Sequence, residues 1–295
     1  MTSRIFLVTI GICLAITSQA QNNKSSEPVK RQVVRRVKTE QLENINEVYY
    51  LNKVPYTGVT FDYFDNNTLM QEINWVNGIL EGTKTEYFPG GLIRAKINFK
   101  AGKRHGPFIF YHDNGNIKLE GNYFDDALDS TINAYYNNGK PKYIHHYDKG
   151  VMVGELITFY KNGNIEQKTM LKNERPHGLM LTYYEAGNIR METNHNEGIR
   201  EGRFLRYHLT GMLAEESYYK NGFLDSVSKY WDNVFGTLMK EENYKMGKKD
   251  GCWITYNEAG DTLTMYNYKE DKLHGPYKIY FSGIVEKGDL NNGKK

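Results

Sequence analysis

The chain is short of cysteine, of aliphatic side chains, of long apolar runs and of net charge. It holds 2 cysteines in 295 residues, and only Cys252 lies beyond the leading segment. A lone cysteine closes no intramolecular disulfide, and no pair exists for a CxxC metal or redox site. The leading apolar run, Ile5 to Ile16, has 12 residues, short of the ~20 that span a bilayer. Lys+Arg 38 against Asp+Glu 35 leaves +3, which gives no electrostatic reason for a nucleic-acid partner. A mean hydropathy of −0.67 with so few aliphatics excludes a polytopic membrane protein and argues against a helical bundle. Disorder is disfavoured as well, because aromatics make up 14% of the chain. Tyr 24, Phe 13, Trp 3 and Gly 28 suit strands joined by tight turns.

Residues 1–20 have the layout of a secretory signal peptide. Arg4 precedes the apolar run, and Ser18-Gln19-Ala20 is a small-x-small pattern, so cleavage is expected between Ala20 and Gln21. An uncleaved anchor is the alternative, and the run is short for one. Cys13 follows Ile12, where a lipobox needs a small residue. Residues 21–47 read as a polar and basic linker. Within them Lys30, Arg31, Arg35, Arg36 and Lys38 form a basic run. A solvated tether is the expectation, with contact to an anionic membrane or glycan as the alternative.

From residue 48 to about 290 the chain repeats. Landmarks stand at Gly58, Gly82, Gly106, Ser130, Gly154, Gly178, Gly202, Ser226, Gly251 and Gly275, 24 residues apart with one gap of 25. Counting each landmark as position 0, position 5 is aromatic in all ten units: Tyr63, Tyr87, Tyr111, Tyr135, Phe159, Tyr183, Tyr207, Trp231, Tyr256 and Tyr280. Position 9 is glycine in most units, from Gly91 to Gly260, with Asn67 in the first and Gly236 one place late. Position 17 is mostly aromatic, as at Trp75, Phe99 and Tyr123. Four places before the landmark stand Gly78, Gly102, Gly150, Gly198, Gly222 and Gly247, replaced elsewhere by Val54, Asp126, Glu174 and Asp271. In the unit from Gly106, PFIFYH has no helical stripe, Asp113-Asn114-Gly115 signals a hairpin turn, and NIKLEGNY returns. One unit therefore reads as one β-hairpin, and the fold class as all-β. Ser130 and Ser226 put the left-handed backbone expected of a landmark glycine in doubt. Residues 291–295 are left as a tail.

The array resembles the MORN-repeat family, in its bacterial variant with Tyr-Tyr-x-Asn-Gly motifs. FYKNGN (159–164), YYEAGN (183–188) and YYNNGK (135–140) carry the resemblance. It implies an elongated single antiparallel sheet of about ten stacked 24-residue hairpins. Hairpins advance such a sheet by roughly 9.6 Å each.

That spacing works against a reaction centre. His105, His177 and His274 each precede a landmark but lie units apart, so they share no metal. His145 and His146 point to opposite faces. His112 and His208 stand where other units have Tyr or Phe. Ser130 and Ser226 have no histidine beside them, and Cys252 reads as packed next to Trp253. Glu72, Glu120, Glu192 and Glu216 recur at position 14 in separate units and read as a solvated stripe. No GxxxxGK[ST] loop occurs. No catalytic, metal or cofactor site is therefore expected. The aromatic ladder reads first as structure and second as a binding face. The functional expectation is an exported, non-enzymatic scaffold that binds a protein at the cell envelope, in the periplasm or outside. The alternatives are a module that binds envelope glycans and, from the family resemblance alone, an antitoxin-like protein. Export sits poorly with a toxin that stays in the cytoplasm.

Overall fold

Two kinds of turn, alternating along the chain, build the fold. A computed structural model describes residues 35–281 and 283–294. The signal segment 1–20 with its Ala20/Gln21 junction, and Lys30 and Arg31, lie outside them. The first kind of turn closes each hairpin. The Phe64 N–H donates to the Thr68 carbonyl at 2.8 Å and the Asn67 N–H to the Phe64 carbonyl at 2.9 Å, and the pattern recurs at Gly91, Gly115, Gly139, Gly163, Gly187, Gly211 and Gly260. This is a three-residue hairpin loop whose third residue is left-handed, which explains glycine or asparagine at position 9.

The second kind joins one unit to the next through two residues. Nine such turns are flanked by direct pairs such as Val76↔Ile79, Lys100↔Lys103 and Lys269↔Lys272. Both central residues have positive φ in every one, from Asn77 (51°) and Gly78 (77°) to Glu270 (48°) and Asp271 (68°). That is the hairpin turn whose twist matches the strands. Asp126, Glu174 and Asp271 adopt the same conformation as the glycines they replace, at 71°, 61° and 68°. The first unit departs from the expected register. Its turn falls at Asn52 and Lys53, not at Val54, so one extra residue separates it from Gly58.

The landmark marks a bulge. Arg104 pairs with Phe99 but Phe108 pairs with Ile97, so three residues oppose one, and Gly106 sits in the middle with φ 87°. Ser130 and Ser226 hold the left-handed conformation there too, at 65° and 98°, which removes the doubt attached to them. The neighbouring turn and strand geometry over-determines the backbone at these sites.

Together the hairpins form one sheet of 26 strands. Its register runs on from unit to unit, ending with the pair Gly275–Phe281 and Ile284–Leu290. Two details lie outside the expected linker and tail. Arg36–Lys38 pairs parallel to residues 59–61, making the sheet mixed, and Glu43–Ile45, Val48–Leu51 and Val54–Pro55 form a small second sheet. At the other end, Asn292 and Gly293 repeat the inter-unit turn, with the Gly293 N–H on the Leu273 carbonyl at 2.9 Å.

A compact core sits under the small sheet. Tyr56, Ile73 and Trp75 are buried, with Val37, Leu42, Tyr49, Leu51 and Leu80 packed on them. Elsewhere a row of cross-strand neighbours at positions 2 and 15 provides most of the interior, with further buried residues such as Ala95, Ala134 and Leu171 beside it. It runs through Thr60↔Ile73, Ile97↔Phe108, Ile132↔His145, Phe204↔Ser217, Ser228↔Glu242 and Tyr277↔Gly288. Gly121 is part of this row because Phe108 and Ile132 fill its space. A Cβ there would stand 2.2 Å from Ile132 Cδ1.

Candidate interaction surfaces

The position-5 aromatics lie on the face opposite that buried row, beside position 14. Tyr63 and Tyr280 at the two ends are exposed, and those between are half-buried. Tyr87, Tyr135 and Tyr207 donate their hydroxyls to Glu72 (3.1 Å), Glu120 (2.7 Å) and Glu192 (2.8 Å) of the preceding unit. Glu216 accepts from Arg203 at 2.7 Å and from the Tyr218 hydroxyl at 3.2 Å. The four glutamates are therefore not a solvated stripe; Glu72, Glu120 and Glu192 join one unit to the next, and Glu216 ties the two strands of its own unit. Burial, then the Glu120 carboxylate, pushes the Tyr135 hydroxyl up to about 12. Tyr87 and Tyr207 are raised in the same way.

Three further ladders link consecutive units. At position 6, Tyr136, Tyr160 and Tyr184 donate to the Phe159, Tyr183 and Tyr207 carbonyls at 2.8, 2.7 and 2.8 Å. His112 and His208 do the same through Nε2, to Tyr135 and Trp231, both at 3.0 Å. At the hairpin loops, Asn114, Asn138 and Asn162 donate to the loop carbonyls of Asn137, Lys161 and Glu185 in the next unit. At the bulges, Asn98, Asn194 and Asn267 at position 16 reach the carbonyls of Pro107, Arg203 and Pro276. The sequence shows these recurrences, but a carbonyl partner in another unit leaves no mark in it.

The histidines and cysteine do not assemble. His105 pairs with Asp125 at 3.1 Å. His145 stacks on Tyr143 while His146 meets the Thr131 hydroxyl at 3.0 Å, on opposite faces as expected. Burial raises the half-buried Cys252 thiol, which makes it a poor nucleophile. Among the described residues no group of three or more His, Cys, Asp or Glu is placed to hold a metal ion. Arg36 is paired with Glu72, and Lys38 with Glu40 at 3.2 Å.

What the surface does offer is clefts and exposed apolar side chains. A cleft of about 610 Å³ lies at the turns of the last units, lined by Lys245, Lys248, Lys269, Asp250 and His274. Two smaller ones, of about 370 and 210 Å³, lie beside Phe88 and Phe64 near the hairpin loops of the first three units. The eighth unit carries the extra residue in its loop. Asp232 holds that loop by accepting the Val234, Phe235 and Thr237 N–H groups, which lowers its carboxyl to about 2. Val234 and Phe235 stand 66% and 77% exposed, next to Leu209 of the seventh unit at 59%.

This succession of hairpins, bulges and unit-to-unit ladders is one structural unit repeated. Five stretches, residues 104–125, 132–149, 152–173, 176–197 and 200–221, match the family described as MORN repeat variant. Residues 104–221 thus carry five MORN repeats. Each full match begins in the strand leading to a landmark and closes on the following inter-unit turn. No curated protein matches the chain in sequence. Among solved structures, the crystal structure of TcdB2-TccC3 is similar at 11% identity with a TM-score of 0.20, over 78% of this chain and 15% of that one. The crystal structure of TcdB2-TccC3-Cdc42 is similar at 10% identity and 0.20, over 78% and 14%. The chain thus spans about 15% of the length of those chains.

Proposed function

We propose that this MORN-repeat protein is an exported, non-enzymatic scaffold that binds another protein at the cell envelope. The observation that carries the reading is the apolar patch at the loops of the seventh and eighth units. Val234 and Phe235 are exposed there on the eighth-unit loop that Asp232 holds, and Leu209 is exposed on the seventh-unit loop. Large apolar side chains fixed in water mark interaction sites. The half-buried state of the aromatic ladder, with several of its hydroxyls already bonded, favours the loop edge over that face as the place of contact.

Two measurements test this reading. Intact mass of the protein recovered outside the cytoplasm is expected to begin at Gln21, and an uncleaved Met1 would remove export from the reading. Affinity capture from envelope fractions is expected to enrich one protein, lost with Leu209→Ser, Val234→Ser and Phe235→Ser combined. Absence of any enrichment over an unrelated repeat protein would count against a scaffold.

A further inference from the structure

The position-6 ladder is interrupted at its start. Tyr136, Tyr160, Tyr184, His112 and His208 each carry a donor to the next unit, but the first two units have Phe64 and Phe88. Phenylalanine has no hydroxyl, so the Tyr87 and Tyr111 carbonyls lack that bond. Clefts lie at these same two places. The larger, about 370 Å³, is lined by Phe88, Phe110, Tyr111 and Leu119 with Arg94 and Lys118. The smaller, about 210 Å³, is lined by Phe64, Met70, Gln71, Glu86, Tyr87 and Arg94. They are equivalent sites one unit apart, and Arg94 is common to both.

Consecutive units are spaced by two strands, roughly 9.6 Å. A polyproline-type chain advances about 3.1 Å per residue and turns once in three. It therefore presents a side chain to the same side every ~9.3 Å, close to the spacing of the two clefts. An extended β-strand does not, because residues three apart point to opposite sides. Aromatic walls are the usual surface for such a segment. Charge adds a second constraint. The lining of the larger cleft has two cations and no acid. Lys118 is exposed and makes no ion pair among the described residues, and Arg94 lies 3.9 Å from Glu86.

We propose that the Phe64 and Phe88 clefts together bind an extended polyproline-type segment of a partner protein, with apolar side chains three residues apart and acidic residues beside the second. This deepens the scaffold reading and rests on it. The probe is a fluorescein-labelled synthetic peptide, Leu-Pro-Pro-Leu-Pro-Glu-Glu, titrated with the full chain by fluorescence anisotropy. A second peptide has both glutamates replaced by lysine. The full chain is expected to bind the acidic peptide at least about tenfold more tightly than the lysine one. Phe88→Tyr supplies the missing hydroxyl and closes the site as Tyr136, Tyr160 and Tyr184 close theirs; Lys118→Glu reverses the charge at an exposed position. Each is expected to weaken binding at least about tenfold with an unchanged circular dichroism spectrum. No saturable binding, equal binding of the two peptides, or full binding by both variants would overturn the proposal. A partner captured from envelope fractions equally well by these variants would leave the scaffold reading standing without this site. Failure of capture by the unaltered chain would remove the scaffold reading itself.

Discussion

The buried interior of the sheet changes character along the array. Over the first four units its buried members are almost all apolar: Ile73, Trp75, Ala95, Phe108, Ile132 and Ala134. Thr60 is the exception, and the Trp75 indole N–H donates to its hydroxyl at 2.9 Å. From the fifth unit onward, Thr169, Thr182, Thr193, Ser217, Ser228 and Glu242 are buried alongside Leu171, Phe204, Ala214 and Tyr277. Both regions keep the same turns and register. The difference shows that in this fold the backbone is specified by turns and ladders, while the interior needs only to be filled. In the apolar region filling dominates, because a void forfeits dispersion contacts. In the polar region Ser217 and Glu242 are hydrogen-bonded, whereas among the described residues the Thr182 and Ser228 hydroxyls make no hydrogen bond of good geometry, and an unpaired buried polar group costs about 1–3 kcal/mol.

Substitutions can break or sharpen that contrast. Phe108→Ala, at 1% exposure, is expected to cost about 3–5 kcal/mol, the largest effect. Urea unfolding would measure it, and a loss below about 1 kcal/mol would mean that filling does not govern the first units. Gly121→Ala tests the same region from the other side. Its methyl group would collide with Ile132 and is expected to cost about 1–3 kcal/mol through overpacking. In the polar region, Glu242 accepts from Lys240 at 2.8 Å and from the Tyr244 hydroxyl at 2.9 Å. Glu242→Leu leaves both donors unpaired and is expected to cost about 2 kcal/mol, read as faster amide exchange in residues 226–245.

Tyr135→Phe removes a half-buried hydroxyl bond to Glu120 and is expected to cost about 1 kcal/mol at neutral pH. Its pH dependence has a definite sign. The folded hydroxyl is raised from 10.0 to about 12, so its contribution is complete below the unfolded value and is lost as pH rises through the folded one. The stability difference between this variant and the unaltered chain should therefore shrink as pH rises from 10.0 to about 12. The smallest effect belongs to Ser228→Ala. Among the described residues the buried Ser228 hydroxyl makes no hydrogen bond of good geometry, with the Tyr230 hydroxyl as its nearby polar group, so its removal should be close to neutral. A loss above about 1 kcal/mol would mean that this hydroxyl has a partner in solution.

Much of this architecture was legible from the residues. The period, the hairpin in each unit and the three-residue loop are visible because glycine and asparagine are selected where φ is positive. Ser130, Ser226, Asp126, Glu174 and Asp271 show the limit of that reasoning. Their conformation is imposed by the pairs on either side, which no single letter reveals. The recurring glutamates at position 14 were visible, but their role was not, since the tyrosines they bind belong to the following unit. The Arg36–Lys38 strand was hidden for another reason. Three residues in a basic run show no alternation, and its pairing partner lies more than twenty positions away. The clefts at Phe64 and Phe88 were visible only as a missing hydroxyl, and that absence acquires meaning once the ladder is known.

The ladders reach no farther than the adjoining unit, and this bears on how such a gene can change. Excising one whole 24-residue period from the middle, or duplicating one, would return the turns and the backbone acceptors of the Asn, Tyr and His ladders to equivalent places. A deletion of any other length would displace all downstream partners at once. Gain or loss of whole periods can therefore alter the reach of the molecule in discrete steps while preserving the rules by which it folds.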